Sequence, residues 1–162
     1  MDSNYLVEKR KQKNREIRIL VDNAKKICCD FFQDKYDYCD QEAVEELGLE
    51  SELIDQLVED YVIQVIKSTE LFREYIDTLK LQKKENKPLD FTPLRELAHK
   101  NLGVARNLRI KDSEEILHQL MRQDNIEEFP QYIDVLEACV IKLKPSVAYA
   151  TLELLKIKKH LQ

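Results

Sequence analysis

His99 is the residue of this sequence whose type and position are best suited to chemistry. It lies in a segment whose apolar spacing predicts a helix over residues 92–110. At about 100° per residue, His99 falls nearly opposite the apolar stripe of that helix, so we expect its imidazole to face solvent. Arg95 and Arg106 flank it on the same side. An imidazole serves as nucleophile, proton acceptor or metal ligand, and its neighbours decide among these roles.

The neighbours of His99 argue against three common roles of a histidine. A core histidine would lie on the apolar stripe. A metal site would need further His, Asp, Glu or Cys ligands one turn away, where only Glu96 is present. The base of a catalytic triad would need a Ser or Cys nearby on the same face, and none lies within one turn. His99 is therefore either an ordinary surface histidine or a group presented to a partner.

Gly103 favours presentation to a partner. It is one of only 2 glycines in the chain, and it lies one turn after His99 on the exposed face. A glycine in a helix interior costs about 1 kcal/mol relative to Ala. No core packing requires it here, so its use would be to clear space for another protein to reach the imidazole. The alternative is neutral drift at a tolerant surface position.

The elements that position His99 are predicted to be helices. The 162 residues include only 2 Gly and 4 Pro, too few for many hairpins. Helical spacing and capping residues mark the segments 17–32, 40–48, 51–82, 92–110, 112–122, 129–143 and 147–161. We expect Asp40, Ser51, Thr92 and Asp112 to cap helices, and Pro145 to interrupt the last stretch. The sequence thus predicts an all-α fold with an antiparallel four-helix bundle, an additional N-terminal helix and an extended C-terminal helix.

The cysteines and the apolar runs bear on the cellular compartment. Cys28, Cys29, Cys39 and Cys139 show no CxxC spacing, and the histidines lie at no ligand spacing from them. We therefore expect four reduced thiols, with no disulfide and no zinc site. No apolar run approaches the ~18 residues of a membrane span, and the polar N-terminus does not resemble a signal peptide. These features predict a cytoplasmic protein.

Charge is unevenly distributed along the chain, whose net charge is -5. Residues 40–60 carry only acidic charges, whereas residues 8–26 and 92–111 are basic. Solvated helix faces are the simplest explanation of each run. Nucleic-acid or membrane binding through residues 8–26 is disfavoured, because the protein is acidic and no aromatic residue lies between Tyr5 and Phe31.

The segment from Leu97 to Ile110 reads LAHKNLGVARNLRI. It resembles the histidine-containing phosphotransfer (HPt) domains, whose pattern is roughly His-x-Leu-Lys-Gly, then small residues, then Asn-Leu or Asn-Ile. The positions that fit this pattern are His99, Gly103, Ala105, Asn107 and Leu108. The resemblance extends to the Leu-Gly-Leu at 47–49, to the long helix after it and to the two helices after the motif. It covers the greater part of the chain.

This resemblance implies a phosphorelay intermediate of a two-component system, which accepts and donates a phosphoryl group on His99. The expected partners are a response-regulator receiver domain, a histidine kinase, or both. The chain has no Gly-rich nucleotide loop, so we expect a phosphocarrier rather than an enzyme, with no cofactor and no metal. The residues expected to support the phosphoryl group or contact the partner are Arg95, Lys100, Leu102, Gly103, Arg106 and Asn107. Among them, Leu102 is expected to be an exposed apolar part of the docking patch.

Two positions depart from the family pattern. Asn101 replaces the usual Leu and faces the predicted core. Leu102 stands where the family has a Lys that steadies the phosphoryl charge, which leaves Arg106, Arg95 or Lys100 to supply a cation. The alternative function is therefore a degenerate HPt domain, or a helical adaptor bundle, that binds receiver or kinase partners without phosphotransfer.

The resemblance also suggests how the chain is divided. Residues 1–38 are expected to form an N-terminal helical extension, and residues 39–162 the HPt-like bundle. The part before residue 17 is polar on all sides, so we expect a projecting or frayed start. Self-association into a homodimer through the N-terminal helix is left open.

Overall fold

The computed structural model describes residues 2–162, which form seven α-helices and one short 3₁₀ turn at Ile126–Glu128. The helices are α1 (Ser3–Phe32), α2 (Gln41–Leu47), α3 (Ser51–Lys84), α4 (Thr92–Asn107), α5 (Lys111–Arg122), α6 (Phe129–Leu143) and α7 (Pro145–Leu161). No strand occurs among these residues, so the predicted all-α class is confirmed. Within the same range, none of the helices is both long and apolar enough to cross a bilayer.

Four helices, α3 to α6, surround the main hydrophobic core. Each contacts two of the others, in the ring order α3, α4, α5, α6 and back to α3. The ion pairs Lys144–Asp55 and Arg73–Asp134 show that α3 and α6 run antiparallel, because the start of one lies beside the end of the other. The largest fully buried side chains include Tyr61, Phe72, Leu94, Ile116, Phe129 and Ile133. This ring holds α4, and with it His99, in place.

Helices α1 and α7 pack outside the ring. The α1 helix contacts α6 and α7, while α7 also contacts α3. The helical stretch is interrupted at Lys144, as predicted, because Pro145 lacks the N–H that a continuous helix would need. The α7 helix begins at Pro145 itself rather than at residue 147. The α1 helix begins at Ser3 rather than near residue 17, so the segment expected to fray is helical, with its first residues exposed. The proposed division at residues 38 and 39 stays a prediction.

Several predicted helix caps are wrong in detail. Ser51 is the first residue of α3, and its hydroxyl donates to the Asp40 carboxylate instead of capping the helix. Asp40 precedes α2 but makes no side-chain cap bond. Thr92 begins α4, and its backbone N–H donates to Asp90 Oδ1 at 3.0 Å. Hydrogen bonds from Thr92 hold the pKa of the Asp90 carboxyl below its usual value. The Asp90 carboxylate before the helix, rather than the Thr92 hydroxyl at its start, therefore accepts a backbone N–H at this end of α4.

Candidate functional site

His99 lies exposed near the middle of α4, as predicted. In the part of the chain that the structure describes, no hydrogen bond or ion pair engages its ring. The imidazole borders a shallow surface depression lined also by Thr92, Arg95, Glu96 and Lys100. Both the approach to the ring and its nitrogen lone pair are therefore open to a second molecule.

Gly103 lies exposed one turn beyond His99, which confirms its predicted position. A Cβ built at Gly103 would meet no atom within 4 Å, so neither packing nor a special backbone angle requires glycine there. The missing side chain leaves a gap in the surface beside the imidazole. The intrinsic cost of a mid-helix glycine is therefore not offset by any contact within the protein.

Asn101 fixes the rotation of α4 from the buried side. Its side chain is buried, and its amide oxygen accepts a hydrogen bond of 2.7 Å from Gln64 Nε2 on α3. Its amide nitrogen donates to the Leu97 carbonyl at 3.2 Å. A buried amide is stable only when it is paired, and these two bonds supply the pairing. Asn101 thus adds a specific polar link between α3 and α4.

Leu102 does not belong to the exposed surface, so its predicted place in a docking patch is wrong. Its side chain is 2% exposed and joins the core with Ala98 and Ala105. The physical reason is that α4 contacts both α3 and α5. Two neighbours bury a wider arc of α4 than the stripe predicted from its apolar residues alone. The position that carries a lysine in the HPt pattern therefore points into this protein.

Arg95 and Lys100 are the two cations that line the same surface depression as His99. The Arg95 guanidinium lies over the Phe91 ring, 4.8 Å from its centroid, and the Phe91 ring in turn packs against Phe129. Arg95 Nε is buried without a hydrogen-bond partner. Among the described residues, no carboxylate pairs with Arg95 or Lys100. Stacking holds the Arg95 guanidinium in place while leaving its charge uncompensated.

Arg106 already has partners on α5. Its Nε lies 3.4 Å from a Glu114 oxygen, and its NH2 group lies 3.1 Å from His118 Nε2. Recruiting Arg106 to an anion at His99 would therefore compete with Glu114. Asn107, the last residue of α4, is exposed, so its role in partner contact stays a prediction.

A buried polar cluster that the sequence did not indicate lies between α1, α5 and α6. The Cys28 and Cys139 sulfurs lie 3.9 Å apart, and a carboxylate oxygen of Asp112 lies within 4.8 Å of both. Lys142 Nζ pairs with Asp112 Oδ2 at 3.0 Å. Cys28 and Cys139 fall at helical spacing with the apolar residues of the predicted segments 17–32 and 129–143, and this spacing is the one signal in the sequence. Nothing in their spacing, however, indicated that α1 and α6 would bring them together.

The site on α4 therefore combines an open imidazole, two uncompensated cations and a gap in the surface. That combination suits a nucleophile that receives an anionic group from another molecule. Comparisons with protein-family models, curated proteins and solved structures gave no match.

Proposed function

We propose that this protein is a phosphorelay intermediate that accepts and donates a phosphoryl group on His99. The observation that carries the proposal is the exposed His99 ring, which no described residue engages. The ring of helices α3 to α6, with His99 midway along the outer side of α4, supports an HPt-type bundle. The expected partners are a receiver domain and a histidine kinase.

The chemistry is an in-line transfer between two proteins. A ring nitrogen of His99 attacks the phosphorus of an aspartyl phosphate on the receiver. The bond between phosphorus and the aspartyl oxygen breaks, and the carboxylate leaves with the electron pair. Transfer back to a second aspartate reverses these steps. Negative charge on the phosphoryl oxygens needs cations, which Arg95 and Lys100 supply from this chain and a metal ion supplies from the receiver.

The second candidate is a degenerate HPt domain that binds the same partners without transfer. The burial of Leu102 favours it, because the position that carries the family lysine supplies no charge. The two candidates share the bundle and the docking surface, and they differ only in the chemistry of His99. A single labelling experiment separates them.

The test is to incubate the protein with a receiver domain that carries a labelled aspartyl phosphate. Phosphohistidine is acid-labile and base-stable, so label of that kind on this chain would support the proposal. Receiver binding without transferred label would support the degenerate alternative. Absence of both binding and label would contradict both candidates.

A bulky replacement of Gly103 should raise the stability of the fold and weaken binding of the receiver. Replacing Gly103 with Leu should stabilise the fold by about 0.5–1 kcal/mol, because the new side chain enters open space and glycine is the poorer helix former. The same change should weaken receiver binding about tenfold or more, because reacting atoms must approach to about 3–3.5 Å. Thermal melting and receiver titration measure the two effects.

The matched control is Gly103→Ala, which adds one methyl group at the same place. It should raise stability by a similar amount and weaken binding less. If Gly103→Leu binds the receiver as tightly as the unmodified protein, the gap beside His99 has no part in docking.

Arg95 and Arg106 form a second matched pair for measuring transfer rates. Arg95→Ala should slow transfer about tenfold, because one charge-assisted hydrogen bond contributes roughly 1.5 kcal/mol or more. Arg106→Ala should slow it by less than about threefold, because Glu114 already compensates that guanidinium. Single-turnover transfer from the labelled receiver gives both rates. A larger effect from Arg106 would show that it leaves Glu114 to bind the phosphoryl group, as the sequence had suggested.

A further inference from the structure

Two buried sulfurs connect the outer helix α1 to the ring of helices. Cys28 on α1 and Cys139 on α6 are 3% and 0% exposed, and their Sγ atoms lie 3.9 Å apart. A disulfide needs a separation of about 2.05 Å. The sulfurs therefore need to approach by roughly 2 Å for the bond to form. The two residues lie 111 positions apart in sequence.

The surroundings make the two thiols unequal. Interaction with Cys139 lowers the pKa of Cys28 against the effect of burial, and the Lys142 ammonium lowers it further. Burial raises the pKa of Cys139 well above its usual value. A thiolate therefore forms on Cys28 first, and thiolates are the reactive form. Cys139 stays protonated beside it.

Each of the two sulfurs borders a cavity. Cys28 borders one of about 280 Å³, beside Lys25 and Lys142. Cys139 borders a smaller one of about 170 Å³, beside Asp112 and Lys142. Cys28 thus combines the larger cavity with the lower thiol pKa, and the Cys139 sulfur lies 3.9 Å from it.

We propose that Cys28 and Cys139 form an oxidation-sensitive pair that a small peroxide converts to a disulfide. The Cys28 thiolate attacks one peroxide oxygen, the O–O bond breaks, and the other oxygen takes a proton and leaves as water. Cys28 then carries a sulfenic acid. The Cys139 sulfur attacks the Cys28 sulfur, the S–S bond forms, and the hydroxyl leaves as water with the proton of Cys139. In total, two thiols and one peroxide give one disulfide and two waters.

A metal site is the rival use of this cluster. The two sulfurs and a carboxylate oxygen of Asp112 lie close enough to share an ion, but the structure offers only these three ligands among the described residues. Lys142 already places an ammonium 3.0 Å from the carboxylate. An incoming metal ion would have to displace that charge. The Lys142–Asp112 ion pair therefore disfavours a metal site and favours an oxidisable pair of thiols.

The disulfide would tie α1 covalently to α6 and close a long loop of the chain. Closing a long loop restricts the unfolded state, so oxidation should raise the melting temperature. In a reducing compartment such a bond would form only under oxidative stress and would be reversible. The proposal does not depend on the chemistry of His99.

The experiment is stepwise oxidation of the reduced, full-length protein with hydrogen peroxide, followed by alkylation and peptide mapping. We expect a Cys28–Cys139 cross-link that dithiothreitol reverses, together with a higher melting temperature. Cys29→Ala and Cys39→Ala should retain the cross-link, whereas Cys28→Ala and Cys139→Ala should lose it. The mapping of the unmodified chain decides the pairing even if a core variant fails to fold.

Three results would overturn the proposal. One is oxidation of Cys39 or Cys29 while Cys28 and Cys139 both stay reduced. Another is conversion of Cys28 to a sulfinic acid without a cross-link. The third is stoichiometric zinc in the purified protein that protects both thiols until a chelator removes it, which would identify a metal site instead.

Discussion

Changing His99 to Gln should abolish phosphoryl transfer to this protein while leaving its fold unchanged. Glutamine keeps a polar side chain of similar reach but has no nucleophilic ring nitrogen. Because His99 is exposed and makes no internal bond among the described residues, the change in stability should stay within about 0.5 kcal/mol. Acid-labile label from a phosphorylated receiver should fall to background, and receiver binding should persist.

The chain offers two matched controls for this experiment. His160→Gln changes an exposed histidine on α7, remote in sequence from the site, and should leave transfer unchanged. His118→Gln changes the histidine on α5 that contacts Arg106, and it should have only a small effect. If the label survives in His99→Gln but disappears in His118→Gln, the acceptor is His118 and the proposed site is wrong.

Removing the buried carboxylate of Asp112 should cause the largest loss of stability among the polar changes proposed here. Asp112 is 5% exposed and pairs with Lys142, whose side chain is 13% exposed. Asp112→Asn leaves that ammonium without its counter-charge, which costs about 3–5 kcal/mol when a pair is fully buried. We expect about 2–4 kcal/mol, because the Lys142 ammonium can turn toward the neighbouring cavity. Urea unfolding measures the difference.

The pKa of Lys142 determines the pH range over which this prediction holds. Burial lowers the pKa of Lys142, but Asp112 and the nearby thiols raise it more, so the net shift is upward. A raised lysine pKa adds stability that is fully present below the ordinary value near 10.5 and is lost as the pH rises through the folded value. The cost of Asp112→Asn should therefore be fully expressed at neutral pH.

An exposed ion pair provides the control for Asp112. Asp134 pairs with Arg73 at 3.5 Å, and its side chain is 64% exposed. Asp134→Asn should change stability by less than about 1 kcal/mol, because solvent screens the pair. Equal effects at Asp112 and Asp134 would show that the buried pair gives no more stability than a surface pair.

Sequence periodicity predicted the helices well, because most of them bury one continuous stripe. Periodicity wrongly predicted an exposed Leu102, because the apolar spacing of α4 describes that helix in isolation. The true buried arc depends on α3 and α5, which both contact α4. The exposure of His99 and Gly103 could still be predicted, since neither residue is buried by α3 or α5.

The sequence also could not predict contacts between segments that lie far apart along the chain. Cys28 and Cys139 each read as ordinary core residues, and only the packing of α1 on α6 makes them neighbours. The predicted cap at Ser51 is wrong for a related reason, because its hydroxyl donates instead to the carboxylate of Asp40, which lies before α2. Local rules cannot show which partner a polar group finds when several are within reach.

The placement of α1 has a consequence for simultaneous binding. The α1 helix contacts α6 and α7, whereas α4 contacts α3 and α5. At about 1.5 Å per residue, the 30 residues of α1 form a rod roughly 45 Å long, whose first half is exposed. A molecule held along that rod would not cover the face of α4 that carries His99. Two ligands, one on each face, should therefore bind without steric competition, and saturating either one should leave the titration midpoint of the other unchanged.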